Sequence, residues 1–217
     1  MTFDKTDRNQ VKRSPQRGHY DRETIYRVLD AGFLCHVGFV VDEQPFVIPT
    51  LYGRENDNVY LHGSTASRMV KNLVTGVPVC LTVTHVDGLV LARSAYHHSM
   101  NYRSVVLFGT AVEAMDDEKD RGLFVISEQV LKGRWDESRL PNEKELKATT
   151  VLRMTIESAS AKIRTGPPND EEEDYALPIW AGVIPLRQSY GKPEADPKLS
   201  DGIELPKSVA NLSGVTE

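Results

Sequence analysis

The stretch Tyr60-Leu-His-Gly-Ser-Thr-Ala-Ser-Arg-Met-Val-Lys-Asn-Leu73 decides how this chain folds, because it runs from a strand end through a tight turn into a helix. Gly63 permits the turn, and Ser64 or Thr65 is predicted to cap the free N–H groups of the helix. Beyond the cap, Met69 and Leu73 recur at helical spacing and give one apolar face. The stretch therefore predicts a strand followed by an amphipathic helix.

Polar side chains gather at the start of this predicted helix. Ser64, Arg68 and Lys71 are separated by four and three residues, so they share a face. Free N–H groups, a helix dipole, hydroxyl groups and two cations together make a favourable site for a phosphate group. A capped surface helix with solvated charges is the alternative reading, favoured on this stretch alone because such caps are common, and both readings stay open at this point.

Composition excludes several classes of protein. The 217 residues include 26 basic and 31 acidic side chains, a balance that argues against a nucleic-acid or membrane surface as partner. No apolar run approaches the roughly 20 residues of a transmembrane helix, and residues 1–18 lack the apolar core of a signal peptide. Cys35 and Cys80 lie in apolar, strand-like runs, which is typical of core cysteines in a reducing compartment. We therefore expect a cytoplasmic protein.

The chain divides into three parts by pattern. Residues 1–19 are polar and are predicted to form a flexible N-terminal arm, while residues 20–185 carry the periodic segments of one folded domain. Residues 186–217 are rich in Pro, Lys, Asp, Ser and Gly and predict an extended C-terminal arm. Because this second arm also contains scattered large apolar residues, we expect it to wrap over the domain or a partner subunit.

Short strands make up the first half of the domain. A helix is predicted over Asp21–Asp30, and strands over Phe33–Val41, Phe46–Gly53 and Val59–His62. Asp87-Gly88 is a type I′ turn signal and predicts a hairpin in which Thr84 faces Leu91 and Thr82 faces Arg93. One face of that hairpin would offer hydroxyl groups and a cation.

The second half contains one long strand and further helices. Predicted elements are the strand Asn101–Val112, the helices Asp116–Lys132 and Asn142–Ala148, and a strand within Thr149–Lys162. Many short strands with few helices predict an α+β fold built on an antiparallel barrel with flanking helices. Because Val105–Val112 is apolar on both faces, it needs cover that one small barrel does not supply, and we expect a homodimer.

These segments resemble a known family. Tyr60-Leu-His-Gly, Ser67-Arg68 on a helix, Val79-Cys-Leu-Thr-Val-Thr84 and Asn101-Tyr-Arg-Ser-Val-Val-Leu-Phe-Gly109 follow one another as in the pyridoxamine 5′-phosphate oxidase-like superfamily. The similarity is greatest to flavin-nucleotide-binding proteins related to nitroimidazole-resistance reductases. It covers roughly Tyr20 to Pro185, including Lys162-Ile-Arg-Thr-Gly-Pro-Pro and Trp180-Ala-Gly-Val-Ile-Pro.

The resemblance implies an antiparallel split β-barrel that binds FMN at a homodimer interface. The matched phosphate-binding positions are His62, Ser64, Ser67, Arg68, Arg103 and Ser104. The flavin ring is expected along Ile48, Pro49, Thr50 and Leu51, and the ribityl chain near Thr82 and Thr84. Many relatives have Lys where Arg68 stands, and Arg keeps the charge and adds donors. The basic residues that a true pyridoxamine phosphate oxidase needs for its substrate are incomplete.

Other chemistry-bearing residues are few. Trp180 begins a short apolar segment after an acidic loop, and we expect it near the flavin or the dimer seam. His97 and His98 are neighbours that point to opposite faces of an extended segment, so they do not share one ion, and no metal site is predicted. No nucleophile–base arrangement is evident, and the catalytic residues stay unassigned.

Two classes of function are compatible with this sequence. The first is an FMN-dependent oxidoreductase that passes electrons from a reduced nicotinamide such as NAD(P)H to a small-molecule acceptor. The second is a non-catalytic flavin-binding protein for storage or sensing. A split barrel that uses deazaflavin or haem is a further alternative, because fold alone does not fix the ligand.

Overall fold

A computed structural model describes residues 1–213 of the chain. The strands are β1 (Gly18–His19), β2 (Leu34–Val41), β3 (Gln44–Glu55), β4 (Asn58–Ser64), β5 (Pro78–Leu91), β6 (Ser99–Glu113), β7 (Thr149–Thr155), β8 (Ser158–Arg164) and β9 (Gly182–Pro185). The helices are α1 (Arg22–Asp30), α2 (Arg68–Leu73), α3 (Asp116–Val130), α4 (Glu143–Ala148) and α5 (Lys207–Ser213).

Six of the strands close into a barrel. Each strand in the ring β6-β7-β4-β3-β2-β5 pairs antiparallel with the next, and β5 returns to pair with β6. Strands β8 and β1 extend the sheet beyond β6, and β9 adds to the far part of β5. The predicted α+β class, an antiparallel split barrel with flanking helices, is confirmed.

Two apolar clusters hold the helices on the barrel. Helix α1 buries Ile25, Val28 and Leu29 in the main core, which also contains the inward side chains of the barrel strands. Helix α3 packs Val125 and Ile126 on the outside of the barrel, against the strands that carry Tyr60 and Val151. Both helices follow the predicted apolar periodicity, because one stripe of each is buried and the rest faces solvent.

The predicted hairpin at Asp87-Gly88 is wrong. Strand β5 runs through these residues, and its register against β6 shifts between Val86 and Gly88 at a bulge. Thr84 therefore faces Ser104 instead of Leu91, and Thr82 faces Val106 instead of Arg93. The physical reason is that a Gly inside a strand also marks a bulge or a close backbone approach. Here strand β9 lies so close that a Cβ on Gly88 would be 3.0 Å from the Ile184 carbonyl oxygen.

The predicted caps of the central helix are also wrong. Helix α2 begins at Arg68 with Ser67 as its N-cap, and the Ser67 side chain makes no capping hydrogen bond. Ser64 ends β4, and its hydroxyl accepts from the Ala66 N–H at 3.2 Å. The strand thus continues one residue further than the capping pattern implies, because Ser64 still pairs with Thr149 of β7.

The N-terminal arm contacts the barrel at several points, and its flexibility stays a prediction. Phe3 and Asn9 are buried, and the Asn9 side-chain amide donates to the Ala159 carbonyl at 3.0 Å. The Arg8 guanidinium lies over the Phe108 ring at 5.0 Å. The arm therefore supplies part of the cover for the outer side of β6, which alternates between fully buried and half-buried residues.

Candidate functional site

Four of the predicted site residues come together on one side of the barrel sheet. Side chains directly opposite on antiparallel strands share a face. His36 of β2 faces both Pro49 of β3 and Thr82 of β5. One step along β5, Thr84 faces Ser104. We call this side the outer face. It also carries three exposed aliphatic residues, Leu34, Val40 and Val47.

The segment Ile48–Leu51, predicted to lie along a flavin ring, turns most of its side chains away from the outer face. Ile48 packs against the core, and Thr50 lies opposite the buried Cys35, so both side chains turn inward. Leu51 packs in the cluster beneath α3. However, β4 pairs only with Tyr52–Glu55 of β3, whereas β2 pairs with Gln44–Leu51. Residues 44–51 therefore have one strand neighbour, and we call their other side the free edge.

A cation stands beside this free edge. Arg68 is exposed at the start of α2, and its guanidinium lies 5.1 Å from the Phe46 ring of β3. Among the ion pairs of residues 1–213, none involves Arg68. Ser64 and Ser67 flank the same turn. The turn is tight because a Cβ on Gly63 would be 2.9 Å from a Val70 methyl group. Hydroxyl groups and an unpaired guanidinium are suitable donors for an anion.

Arg103 does not join this cation in the same chain. It donates two hydrogen bonds to the Asp87 carboxylate at 2.8 and 2.9 Å, and these bonds lower the Asp87 pKa. Arg103 lies opposite His85 of β5. Phe46 lies opposite Phe39 of β2, and the neighbouring Gly38 lies opposite Cys80 of β5, so Phe46 is near the level of Cys80. Five residues of strand span roughly 17 Å. Within one chain, the two arginines are therefore held far apart along the strand direction.

Trp180 lies away from the Arg68 group. It precedes β9, which pairs with Gly88–Leu91 of β5. Its ring packs on Gly182 and the side chain is 66% exposed. Exposure of a Trp to this extent is compatible with the expected contact to a partner subunit or ligand, which remains a prediction.

A cavity of about 340 Å³ adjoins the outer face and was not foreseen from the sequence. Its lining includes His36 and Thr84 of the outer face, Gln129 of α3 and Tyr190 of the C-terminal arm. The Gln129 amide donates to the Gly32 carbonyl at 2.6 Å and holds the end of α1 beside the cavity. The one available signal was His36, a lone polar residue in an otherwise apolar strand.

His62 is a partly buried base without a partner. Its Nδ1 atom is buried and has no hydrogen-bond partner among residues 1–213, and burial lowers its pKa from the ordinary 6.5.

Within residues 1–213, no group of three or more His, Cys, Asp and Glu side chains is arranged to hold a metal ion. No helix in that range is long and apolar enough to cross a membrane.

We expect His62 to make the protein less stable in mild acid. The pKa of His62 in the folded protein lies below 6.5, so the unfolded chain binds more protons as the pH falls. The free energy of unfolding is therefore fully present above pH 6.5 and decreases below it, by up to about 1.4 kcal/mol per pH unit. Urea unfolding at pH 7 and pH 5 measures this loss, and His62→Gln should reduce it. His36→Gln, on the exposed face, is the control, and an equal effect of both variants would contradict the assignment.

The closed antiparallel ring, with its additional strands and flanking helices, defines the split-barrel class of proteins. The chain belongs to the pyridoxamine 5′-phosphate oxidase family, whose model matches residues 21–163. The family recognised from the Tyr60 and Asn101 segments is thereby confirmed. No functionally curated protein matches the sequence.

Solved structures extend the similarity to nearly the whole chain. The flavocytochrome Anf3 from Azotobacter vinelandii is 44% identical, with 95% of this chain and 97% of that chain covered and a TM-score of 0.89. The FAD and heme binding protein from Mycobacterium smegmatis is 38% identical, with 90% and 97% covered and a TM-score of 0.87. A putative 5-nitroimidazole antibiotic resistance protein from Bacteroides thetaiotaomicron shares the fold at 22% identity, with 67% and 86% covered and a TM-score of 0.58.

Proposed function

We propose that this chain binds a flavin at the free edge of β3 and works as a flavin-dependent oxidoreductase. One observation carries the proposal: the free edge along Ile48–Leu51 lies beside Arg68, which has no ion pair within the described residues and contacts Phe46. Main-chain N–H groups that turn away from β2 suit the polar rim of a flavin ring, and the guanidinium suits its phosphate. The names of the two relatives at 44% and 38% identity, a flavocytochrome and an FAD and heme binding protein, support a flavin.

The residues of the chain fit such a cofactor. Ser64 and Ser67 add hydroxyl donors to Arg68, and Pro49 has no N–H group to contribute. A bound flavin supplies the two-electron redox chemistry. The task of the chain is to hold the phosphate, to hydrogen-bond the ring edge and to leave one ring face open to a reduced nicotinamide and a small acceptor. FMN is the proposed form, and FAD presents the same ring.

A second cofactor, haem, is the alternative that one observation favours. His36 is exposed on the outer face beside the cavity, and the aliphatic Leu34 lies two residues away on the same strand. An imidazole in apolar surroundings is a common axial ligand of haem iron. The two relatives at 44% and 38% identity carry cytochrome or heme in their names.

The test is the colour and redox behaviour of the purified protein. We expect flavin absorbance bands, release of FMN on denaturation as identified by mass, and bleaching by NADH or NADPH without oxygen. Colour without bleaching would favour storage or sensing over catalysis. A Soret band that His36→Ala removes would establish the haem alternative, and a colourless protein would contradict both cofactors.

We also propose that two copies associate through the outer face. Val47 is 67% exposed there, diagonally across from the exposed Val40, and Leu34 is exposed further along β2. Exposed aliphatic residues on one face mark association surfaces. Strand β2 separates Thr82, Thr84 and Ser104 from the free edge within one chain. A partner's copy of this face would bring its hydroxyl groups to that edge and complete the flavin site.

Sedimentation at micromolar concentration checks this association. We expect a dimer for the natural sequence and at least about tenfold weaker association for Val47→Lys, because the interface would then bury an unpaired ammonium. Leu140→Lys, an equally exposed position on the loop before α4, is the matched control. A monomer that retains its flavin would rule out the shared site.

A further inference from the structure

A second pocket, of about 560 Å³, lies at the opposite end of the sheet from Arg68 and is lined largely by basic residues. We call it the basic pocket. The N-terminal arm contributes Arg13 and Arg17, the turn before β6 contributes His97 and His98, and the end of β8 contributes Arg164. In a protein of net charge −5, this concentration of cations is a local feature.

Arg164 is a buried cation without a carboxylate partner. Its residue is 7% exposed, yet its guanidinium donates to neutral oxygens, the Asn101 amide at 2.5 Å and the Pro167 carbonyl at 3.2 Å. Burial and the neighbouring Arg17 lower the Arg164 pKa, so the charge is disfavoured where it stands. Buried charges are normally paired, and removal from water without an opposite charge is unfavourable. A bound anion would therefore stabilise the charge of this guanidinium.

Nearby acids do not neutralise the basic pocket. Asp170 is buried, but its carboxylate accepts from the Arg93 guanidinium at 3.1 Å and from the N–H groups of Arg93 and Ser94. Glu171 lies 3.6 Å from His97 with a largely exposed side chain, where an ion pair contributes little. Three arginines thus face one solvated carboxylate, and a guanidinium group forms two parallel bonds with phosphate oxygens.

An aromatic ring stands at the mouth of the pocket. Tyr96 is 88% exposed and meets the His97 ring edge-on at a centroid distance of 5.1 Å. A large aromatic side chain that remains in water beside a cationic pocket has a free π-face. Such a ring stacks on a nucleobase, and this stacking typically contributes about 1–3 kcal/mol.

We propose that the basic pocket binds the phosphate groups of a nucleotide, with the base stacked on Tyr96. The assignment uses none of the residues of the flavin site, so it does not require Arg68 to bind the flavin phosphate, and only its dinucleotide source rests on the proposed function. The nucleotide has two chemical sources: the adenylate half of a dinucleotide cofactor held by the protein, or a nucleotide that diffuses in, such as an electron donor.

The test compares Arg17→Gln with Arg8→Gln in the full chain. Arg17 lines the pocket and is half-buried, whereas Arg8 lies on the same arm outside it and pairs with Glu157. Thermal melts confirm that both variants fold. Arg164→Gln is avoided as the main variant because the buried side-chain oxygen of Asn101 would lose its donor. Calorimetric titration with ADP and with adenosine, on protein before and after removal of its cofactor, gives the affinities.

For a diffusing nucleotide, we expect the untreated protein to bind ADP but not adenosine, with at least about tenfold weaker binding in Arg17→Gln and no change in Arg8→Gln. For a resident dinucleotide, ADP binds only after the cofactor is removed, the extracted cofactor has the mass of a dinucleotide, and its content falls in Arg17→Gln. Tyr96→Ala should weaken ADP binding and leave inorganic pyrophosphate unaffected. Absence of ADP binding to either form, or equal losses in the two arginine variants, would overturn the site.

Discussion

Replacing Gly53 by alanine is expected to destabilise the fold by about 2–3 kcal/mol or more, because helix α3 lies directly on this residue. A Cβ atom at Gly53 would be 2.6 Å from the Val125 carbonyl carbon and oxygen and from the Ile126 nitrogen. These are backbone atoms in the middle of a helix, so they do not swing away as a flexible side chain does. The helix as a whole must shift, and its contacts with β3, β4 and β7 shift with it.

The matched control is Gly191→Ala in the C-terminal arm, where an added Cβ has no atom within 4 Å. Urea unfolding measures both variants, and the midpoint should fall for Gly53→Ala with an unchanged slope, whereas Gly191→Ala should match the natural sequence. Equal midpoints for all three proteins would show that α3 adjusts without loss and that the contact is not a constraint.

Local patterns predicted the elements of this fold well. Helix α1 lies within one residue of its predicted range, with Asp21 as its N-cap, and the capping box at Asn142 and Glu145 begins α4. These signals are local, because an apolar stripe or a cap depends on residues a few positions apart. Gly53 carries no such signal, since its importance comes from a helix more than seventy residues further along the chain.

Features formed between segments that are distant in the sequence were not predicted from it. The basic pocket combines Arg17 of the arm with Arg164 of β8, and composition alone indicated that the arm would be loose. At Asp87-Gly88 the local turn signal was outweighed by pairing with β6 and β9, because a continuous ladder on both sides satisfies more backbone groups than a two-residue turn. Arg103 likewise looked available in the sequence but is bonded to Asp87 across that bulge.

The pairing of Arg103 has a direct consequence for the proposed flavin site. Arg68 has no ion pair within residues 1–213 and adjoins the free edge, whereas Arg103 already bonds the Asp87 carboxylate further along β5. The phosphate of FMN carries close to two negative charges, and each charge-assisted hydrogen bond typically contributes about 1.5–3 kcal/mol. Arg68→Ala should therefore weaken FMN binding by at least about tenfold, since 1.4 kcal/mol is one decade.

Riboflavin makes this prediction specific to the phosphate, because it has the same ring and no phosphate group. Titration of cofactor-free protein should show that Arg68→Ala loses much more affinity for FMN than for riboflavin. Arg139→Ala is the control, an exposed arginine paired with Glu145 near α4. Arg103→Ala is informative as well, because it leaves Asp87 unpaired and tests whether a second copy brings this arginine to the phosphate. If Arg68→Ala keeps its FMN affinity, or loses both ligands equally, the guanidinium beside Phe46 does not bind the phosphate, and α2 is an ordinary surface helix.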